Sequence, residues 1–303
     1  PNMDEDTVTM SIESSLNAVR HANIDPEDIG AIYSGSESPA YAVKPNTTMI
    51  SNSIGMSPYH TGADVEFACK AGTAAMQMVM GLVKSGMIKY GLAIGADAAE
   101  YSVENVGDQS TGAGSAAFIL SNDKKDSIAD IKETVSYTSD VPDFWRRPQV
   151  RYPTHSERFT GEPAYFKHTI AATKLLMERA DIKISDVDHA VFHTPNGKFP
   201  SRVAKMLGFT NEQIRAGFVV DRIGNSYSAA SLIGLASALD IAKPGQNIII
   251  TSFGSGAGSD SFYIKVNGLI EEKRKNAKTV KYYLDRKKYV DYATYCKYTF
   301  RIE

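Results

Sequence analysis

The 303-residue chain has little cysteine, histidine or tryptophan: two, six and one residues respectively. Cys69 and Cys296 are too few and too far apart for a disulfide framework or a zinc-ligand pair, which points to a reducing compartment and makes the cytoplasm the expected location. His189 and His193 lie four apart, but on a strand that spacing separates them by roughly 13 Å. No other cluster offers ligands, so no metal is expected. No stretch approaches the roughly 18 uncharged apolar residues that a spanning helix needs. The opening Pro1-Asn2-Met3-Asp4-Glu5-Asp6 has no resemblance to a signal peptide, so a soluble protein with no membrane partner is expected. An excess of one charge is also missing, since 33 basic residues meet 35 acidic ones for a net charge of -2. Residues 271–303 carry ten of those basic residues and five of the acidic ones, which leaves the remaining body acidic. Nucleic-acid binders carry their basic face on the folded domain itself, so no nucleic acid is expected. What is present is ordinary globular composition, 43% apolar and 22% charged, at a length that fits one large domain or two packed halves.

A diverged internal repeat organises the chain. The helical pattern Val8, Ile12, Val19 recurs as Phe166, Ile170, Met177, each shifted by 158, and Ala22-Asn23-Ile24 answers Ala180-Asp181-Ile182. Short strands follow at Ala31-Ile32-Tyr33 and Ala190-Val191-Phe192, now shifted by 159. Lys84-Ser85-Gly86 and Lys243-Pro244-Gly245 each close a helix, and the next strands end at Gly95 and Gly254. Gly112-Ala113-Gly114-Ser115 reappears as Gly256-Ala257-Gly258-Ser259 at a shift of only 144, so the first half has gained 15 residues between Gly95 and Gly112. Each half reads helix, strand, helix, strand, strand, which implies a layered α/β architecture with crossover connections. The second half opens with an extra strand, Ser127 to Ser139. Its first-half counterpart would precede Pro1, so the first half is expected to lack its N-terminal strand. The expected divisions are 1–125, 126–270 and a basic, tyrosine-rich extension, 271–303.

In α/β sheets, ligands gather at the carboxyl ends of strands and at helix N-termini. Cys69 begins a helix whose apolar face continues through Met76, Met80 and Val83, and a helix start favours a thiolate. A small buried hydrophobe is the commoner fate of a free cysteine, but the equivalent position of the second half is Ser228, so one half carries a thiol where the other does not. His193 ends the apolar strand Ala190-Val191-Phe192 before the turn Thr194-Pro195-Asn196-Gly197; a structural histidine is the alternative. Glu37, in Ser34-Gly35-Ser36-Glu37-Ser38, follows the equivalent first-half strand, and by the repeat symmetry it should approach His193. Asn225 sits in a Gly-Asn-Ser turn before a helix, where it either caps the helix or holds a carbonyl or oxyanion. Lys198, Arg202 and Lys205 fall on one face of the helix after His193, a phosphate-binding stripe or a solvated one. Asp143-Phe144-Trp145-Arg146-Arg147-Pro148 could stack on an adenine at a cofactor entrance.

A Cys at a helix start, a His at a second-half strand end and an Asn in Gly224-Asn225-Ser226-Tyr227-Ser228-Ala229 on a duplicated frame resemble the thiolase superfamily. Glu66-Phe67-Ala68-Cys69-Lys70-Ala71-Gly72, Val191-Phe192-His193-Thr194-Pro195 and Phe159 to His168 resemble the archaeal-type hydroxymethylglutaryl-CoA (HMG-CoA) synthases. The likeness runs from about Asp4 to about Val266. It implies a layered αβαβα fold and a condensation of acetyl-CoA with acetoacetyl-CoA, serving isoprenoid synthesis by the mevalonate route. Cys69 would carry the acetyl group as a thioester, Glu37 would remove a methyl proton, and His193 would polarise the ketone. Asn225, Ser255 and Thr111 would serve the substrate and its oxyanion, and Lys198, Arg202 and Lys205 the coenzyme A phosphates. Coenzyme A thioesters are then substrates, and no resident cofactor is implied. A ketoacyl synthase is the neighbouring alternative, set apart by Glu37, because decarboxylative condensation needs no base to make its carbanion. A non-catalytic thiolase-like assembly subunit is a second. The resemblance further implies a homodimer, with the insertion between Gly95 and Gly112 as active-site and dimer loop. It also implies assembly with acetoacetyl-CoA thiolase through a zinc-ribbon and OB-fold scaffold protein. The tail, with Tyr282, Tyr283, Tyr289, Tyr292, Tyr295 and Tyr298 between its basic residues, would add to that contact or to the dimer, or else only cover the domain's own surface.

Overall fold

The computed structural model describes residues 1–99, 101–102, 105–299 and 301–302. Two four-stranded sheets form its frame. The first holds β1 (Ile29–Gly35), β2 (Thr61–Val65), β3 (Tyr90–Asp97) and β4 (Gly114–Ser121) in the order β2-β1-β3-β4. The second holds β5 (Ala129–Val141), β8 (His189–Phe192), β9 (Asn247–Thr251) and β10 (Gly256–Val266) in the order β5-β10-β9-β8. A two-stranded ribbon of β6 (Phe144–Trp145) and β7 (Thr154–His155) lies between them in sequence. β1 runs parallel to β3 as β8 runs parallel to β9, and the last strand of each set returns antiparallel.

The helices are α1 (Thr7–Ala22), α2 (Asn46–Ile54), α3 (Ala71–Lys84), α4 (Phe166–Ala180), α5 (Lys198–Leu207), α6 (Asn211–Arg215), α7 (Val220–Ile223), α8 (Ala230–Ile241), α9 (Ile270–Lys273), α10 (Val280–Asp285) and α11 (Tyr292–Tyr298). α1 and α4 stop in the same way, with Asn23 and Asp181 in the left-handed conformation, a conformation that Asn and Asp tolerate better than most residues. α1 opens on a capping box in which the Asp6 carboxylate accepts from the Thr9 amide at 2.8 Å, a device of about 1 kcal/mol.

Layering follows from strands that bury both faces. In β9, Ile248 and Ile250 face one core cluster with α3 and α8 residues such as Ala75, Met76, Leu232 and Leu235, whereas Ile249 faces a second with Phe166 and Leu176 of α4. In β3, Ala93 joins the first cluster, while Leu92 and Ile94 pack with Val8 and Ile50 of the outer helices α1 and α2. The result is α1 and α2, a sheet, α3 and α8, a sheet, and α4: five layers, as the resemblance implies. α8 reads Ala-Ser-Leu-Ile-Gly-Leu-Ala-Ser-Ala-Leu-Asp-Ile, apolar on nearly every side, because it is enclosed between the sheets. β10 lies between β9 and β5, while β3 is the one strand hydrogen-bonded to β4 among the described residues. The extra second-half strand begins at Ala129 rather than Ser127. Among the described residues no helix is long and apolar enough to cross a membrane. Of the insertion between Gly95 and Gly112, Glu100, Val103 and Glu104 fall outside the described residues.

Candidate active site

Cys69 sits in a 3-10 turn, Ala68–Lys70, that feeds directly into α3. The turn is entered through Ala68 at φ 42°, which aims the Cys69 side chain back toward the end of β1. There the Cys69 thiol donates to Glu37 Oε1 at 3.0 Å. Thus two residues from different strand–helix connections meet at one sheet edge. The expectation that the helix start favours a thiolate is corrected here. Burial comes first and the Glu37 charge second, and together they push the Cys69 thiol well above the ordinary range. Cys69 therefore rests as a thiol, hydrogen-bonded to Glu37.

Glu37 is raised from 4.5 to about 8, first by burial and next by the charge of Asp97. Asp97 ends β3 and is wholly buried. One of its oxygens accepts from Ser36 Oγ, the Glu37 amide, the Ser38 amide and Ser38 Oγ, at 2.9, 2.8, 3.0 and 2.7 Å. Its other oxygen accepts from the Ser228 amide at 2.8 Å. One carboxylate therefore fixes the Glu37 turn, raises the basicity of Glu37 and joins the two halves. Sequence reasoning passed over Asp97; its signal was an acid closing the apolar run Tyr90-Gly91-Leu92-Ala93-Ile94-Gly95-Ala96, at a strand's carboxyl end.

Lys70, next to the thiol, points the other way into the second half. Its ammonium is within 3.0 and 2.9 Å of the two Asp260 oxygens on β10 and lies 4.1 Å from the Phe67 ring centre. Asp260 also accepts from Thr73 Oγ1 at 2.9 Å and Ser136 Oγ at 2.8 Å. A buried pair with its remaining lone pairs occupied is the arrangement that keeps such charges tolerable. Sequence reasoning also missed this pair.

His193 follows β8, and only 1% of it is exposed. Tyr165 OH donates to its backbone carbonyl at 2.7 Å, while its own Nδ1 has no hydrogen-bond partner. Burial lowers His193 to about 3, so the ring is neutral at any working pH. No hydrogen bond joins His193 directly to Cys69 or Glu37. The link runs through the end of β9: the Phe253 ring is 6.4 Å from that of His193, and the adjoining Gly254 lies so close to the Cys69 turn that a Cβ there would stand 2.5 Å from the Phe67 carbonyl. Only glycine permits that approach.

Asn225 is buried, and its Oδ1 accepts from the Tyr227 amide at 2.9 Å. The carbonyl end is occupied, so the amide end is the one available to a ligand. Thr111 Oγ1 and Tyr227 OH are 3.0 Å apart, and the backbones of Thr111 and Asn225 form a bridge. Tyr227 and Tyr101 pack with Cys69, an aromatic wall that residue patterns did not reveal. Ser255 lies half-buried close to Asp143, whose carboxylate accepts from the Gly256 amide at 2.9 Å. Asp143 and Arg146 come near enough to Glu37 for their charges to act on it in opposite directions. Lys198, Arg202 and Lys205 share an exposed face of α5, with Arg202 stacked 4.5 Å from the Phe166 ring centre. Among the described residues, no side-chain hydrogen bond or ion pair joins them to Cys69, Glu37, His193 or Asn225. A cavity of about 1510 Å³ runs along β4, α1 and the tail, away from Cys69, Glu37 and His193.

Comparison with known proteins accords with this geometry. Residues 177–266 match the family described as 3-oxoacyl-[acyl-carrier-protein (ACP)] synthase III C terminal. The solved structure of MvaS in complex with 3-hydroxy-3-methylglutaryl coenzyme A superposes with a TM-score of 0.89 at 21% identity, covering 98% of this chain and 81% of that one. The HMG synthase of the curacin biosynthetic pathway, in complex with acetyl donor-ACP, gives 0.84 at 20% identity over 98% of this chain and 77% of its own. At such identities the match shows the thiolase-like fold. Much nearer in sequence is the hydroxymethylglutaryl-CoA synthase of Methanosphaera stadtmanae, 54% identical over 100% of this chain and 87% of the relative. The enzyme of the same name from Methanocaldococcus jannaschii is 52% identical over 100% and 87%. Relatives this similar across the whole chain, on the same fold, show that the chain belongs to the hydroxymethylglutaryl-CoA synthase family.

Proposed function

We propose that the chain condenses acetyl-CoA with acetoacetyl-CoA to give HMG-CoA by way of an acetyl thioester on Cys69. The observation that carries this reading is the 3.0 Å contact between the Cys69 thiol and the Glu37 carboxylate. In the first step the Cys69 S–H bond breaks, Sγ bonds to the acetyl carbon, and the proton leaves by way of Glu37 to the departing coenzyme A sulfur. Acetylation also removes the thiol hydrogen bond that lowers Glu37, so the carboxylate becomes a stronger base as its carbon acid arrives. Glu37 then takes a methyl proton, and the carbanion attacks the ketone carbon of acetoacetyl-CoA.

The new alkoxide oxygen is held by N–H groups of neutral His193 and of Asn225, donors that need not lose a proton to stabilise charge. Net, one proton moves from the methyl group to the new hydroxyl. Water then cleaves the Cys69 thioester. Ser255 and Thr111 hold the backbone around the thioester oxygen, and Lys198, Arg202 and Lys205 attract the coenzyme A phosphates.

In this reading residues 1–125 supply base and nucleophile, and residues 126–270 supply the ketone-polarising groups. The enzyme works in the cytoplasm as a homodimer, drawing acetoacetyl-CoA from a thiolase held with it by a zinc-ribbon and OB-fold scaffold. Incubation with acetyl-CoA followed by peptide mass spectrometry tests the first step. An acetyl group is expected on the peptide containing Cys69 and absent from Cys69→Ala, with turnover of that variant reduced at least ~10⁴-fold. An unmodified Cys69 in a working enzyme contradicts it.

A further inference from the structure

The expectations for residues 271–303 are a surface for partners or cover for the chain's own body, and in the structure this segment turns back on that body. Lys273 Nζ donates to the Ala22 and Asp126 carbonyls at 3.0 and 2.8 Å, and Tyr283 OH donates to Glu13 Oε1 at 2.9 Å. Those contacts hold the tail against α1 and the start of the second half and are ordinary cover. Two others reach segments that build the site.

On one side, Arg301 forms an ion pair with Asp108 in which neither side chain is more than 5% exposed, and Tyr292 OH donates to the second Asp108 oxygen at 2.7 Å. Arg301 also donates to Tyr295 OH at 3.0 Å, which ties it to α11. Asp108 belongs to the short 3-10 turn Val106–Ser110, the part of the insertion that leads into Thr111. On the other side, Lys287 Nζ donates to the Arg222 carbonyl, and the Arg222 guanidinium pairs with Asp285 at 3.1 Å. Arg222 lies in α7, two residues before Gly224-Asn225.

These two gripped segments meet. The Asn225 amide donates to the Ser110 carbonyl at 2.7 Å, and the Gly112 amide donates to the Asn225 carbonyl at 2.8 Å. The approach is so close that a Cβ on Gly112 would stand 1.9 Å from the Ile223 carbonyl. From this bridge, Thr111 reaches Tyr227, and Tyr227 packs against Cys69. The lever is therefore short and continuous: tail to Asp108 and Arg222, then the Thr111–Asn225 bridge, then the wall of the nucleophile.

We propose that the C-terminal extension is an internal strap whose Arg301–Asp108 and Lys287–Arg222 contacts clamp the two backbone segments that present Asn225 and Thr111. Arg301 is a positioning residue, acting through Asp108 on groups that face the ketone. The proposal rests on the roles given above to Cys69 and Asn225. Two salt links at separate points on the bridge are more than cover for a surface requires, and the Arg301 pair is buried, where losing one partner strands the other's charge.

The test uses the whole 303-residue chain. Arg301→Ala and Arg301→Lys are compared with wild type in turnover per Cys69 that can be acetylated, counted by mass spectrometry after acetyl-CoA. Displacing the oxyanion side without touching the nucleophile should lower condensation about tenfold while acetylation stays within about twofold, with Lys recovering most of the loss through its remaining charge. Tyr292→Phe removes one hydrogen bond from Asp108 and is expected to cost about twofold, which keeps the test open if Arg301→Ala folds poorly. Hydrogen–deuterium exchange should rise in peptides spanning 105–113 and 222–229. Wild-type turnover per acetylated site together with unchanged exchange in those peptides overturns the strap. Failure of wild-type Cys69 to take up acetyl overturns the site reading instead, and the exchange measurement still decides the strap.

Discussion

The two internal helix starts, around Cys69 in one half and Ser228 in the other, are the same piece of structure put to different uses. Each is a 3-10 turn running into a buried helix, Ala68–Lys70 into α3 and Tyr227–Ala229 into α8, and each is entered through a residue in the left-handed region, Ala68 at 42° and Tyr227 at 49°. Each is tied across the interface to a buried carboxylate of the opposite half. Lys70 and Thr73 reach Asp260 on β10, and the Ser228 amide reaches Asp97 on β3. What differs is the partner of the side chain between these anchors. Ser228 Oγ donates to the Gly35 carbonyl at 2.9 Å, an acceptor that cannot take its proton, whereas the Cys69 thiol donates to Glu37, which can. Position at a helix start is shared; the neighbouring base is not. In the proposed mechanism reactivity follows the neighbour and not the helix start; the thiol itself is raised first by burial and next by that neighbour's charge.

The comparison can be broken most severely at the base. Glu37→Gln is expected to lower condensation about 10²- to 10⁴-fold while the acetyl adduct still accumulates, more slowly than in wild type, because acetylation needs no carbanion but loses the group that relays the thiol proton. A variant that condenses at the wild-type rate puts the base elsewhere and favours a ketoacyl synthase. The same substitution has a signature in stability. Glu37 holds its proton up to about 8 when folded against 4.5 as a free side chain, so the folded protein binds more protons between those values and its stability falls as pH rises through that window. Denaturant titrations of Glu37→Gln should show a shallower decline from pH 4.5 to 8.

Removing an anchor is next. Lys70→Met strands the Asp260 carboxylate in the interior and should cost about 3–5 kcal/mol, read as a lower denaturation midpoint. Adding Asp260→Asn should restore part of it; if the double variant is no better than the single one, the pair is not the source of the loss. A subtler change is expected at the other anchor. Asp97→Asn removes the negative charge that helps to raise Glu37, so the rising limb of condensation against pH should move toward acid by roughly half to one unit. A limb that stays in place separates Asp97 from the basicity of Glu37. The smallest effect belongs to Ser228→Cys, which gives the second half a thiol and no base. No acetyl group is expected at position 228, and stability should change by about 1 kcal/mol or less; peptide mapping after acetyl-CoA reads the first and thermal unfolding the second.

The layers were legible in the sequence because their cause is local. The spacing of Val8, Ile12 and Val19 names a helix, and the segment between Lys243-Pro244-Gly245 and Gly254 names a strand, without reference to the rest of the chain. β2 and α2 escaped that reading. Thr61-Gly62-Ala63-Asp64-Val65 has no alternation, since it is a largely exposed edge paired with β1 alone, and α2 reads as a polar stretch of Asn, Thr and Ser. In the site, Cys69 and Glu37 stood out through the repeat, which set a thiol against a serine and an acid after a strand. Asp97 and Asp260 did not, because their partners lie 131 and 190 residues away in the chain. The tail left two readings open, a contact for partners and cover for the chain's own surface, because tyrosines and lysines suit both; only the fold brings Arg301 to Asp108.

The most direct test of the central claim, that Glu37 is the base serving an acetyl group on Cys69, is proton exchange without the second substrate. Enzyme acetylated at Cys69 is held in deuterium oxide, and the mass of the acetylated peptide is followed with time. The account predicts that the methyl hydrogens exchange in wild type, faster as pH rises toward 8, and that in Glu37→Gln they persist on an equally acetylated Cys69. Exchange at the same rate in both proteins would contradict it.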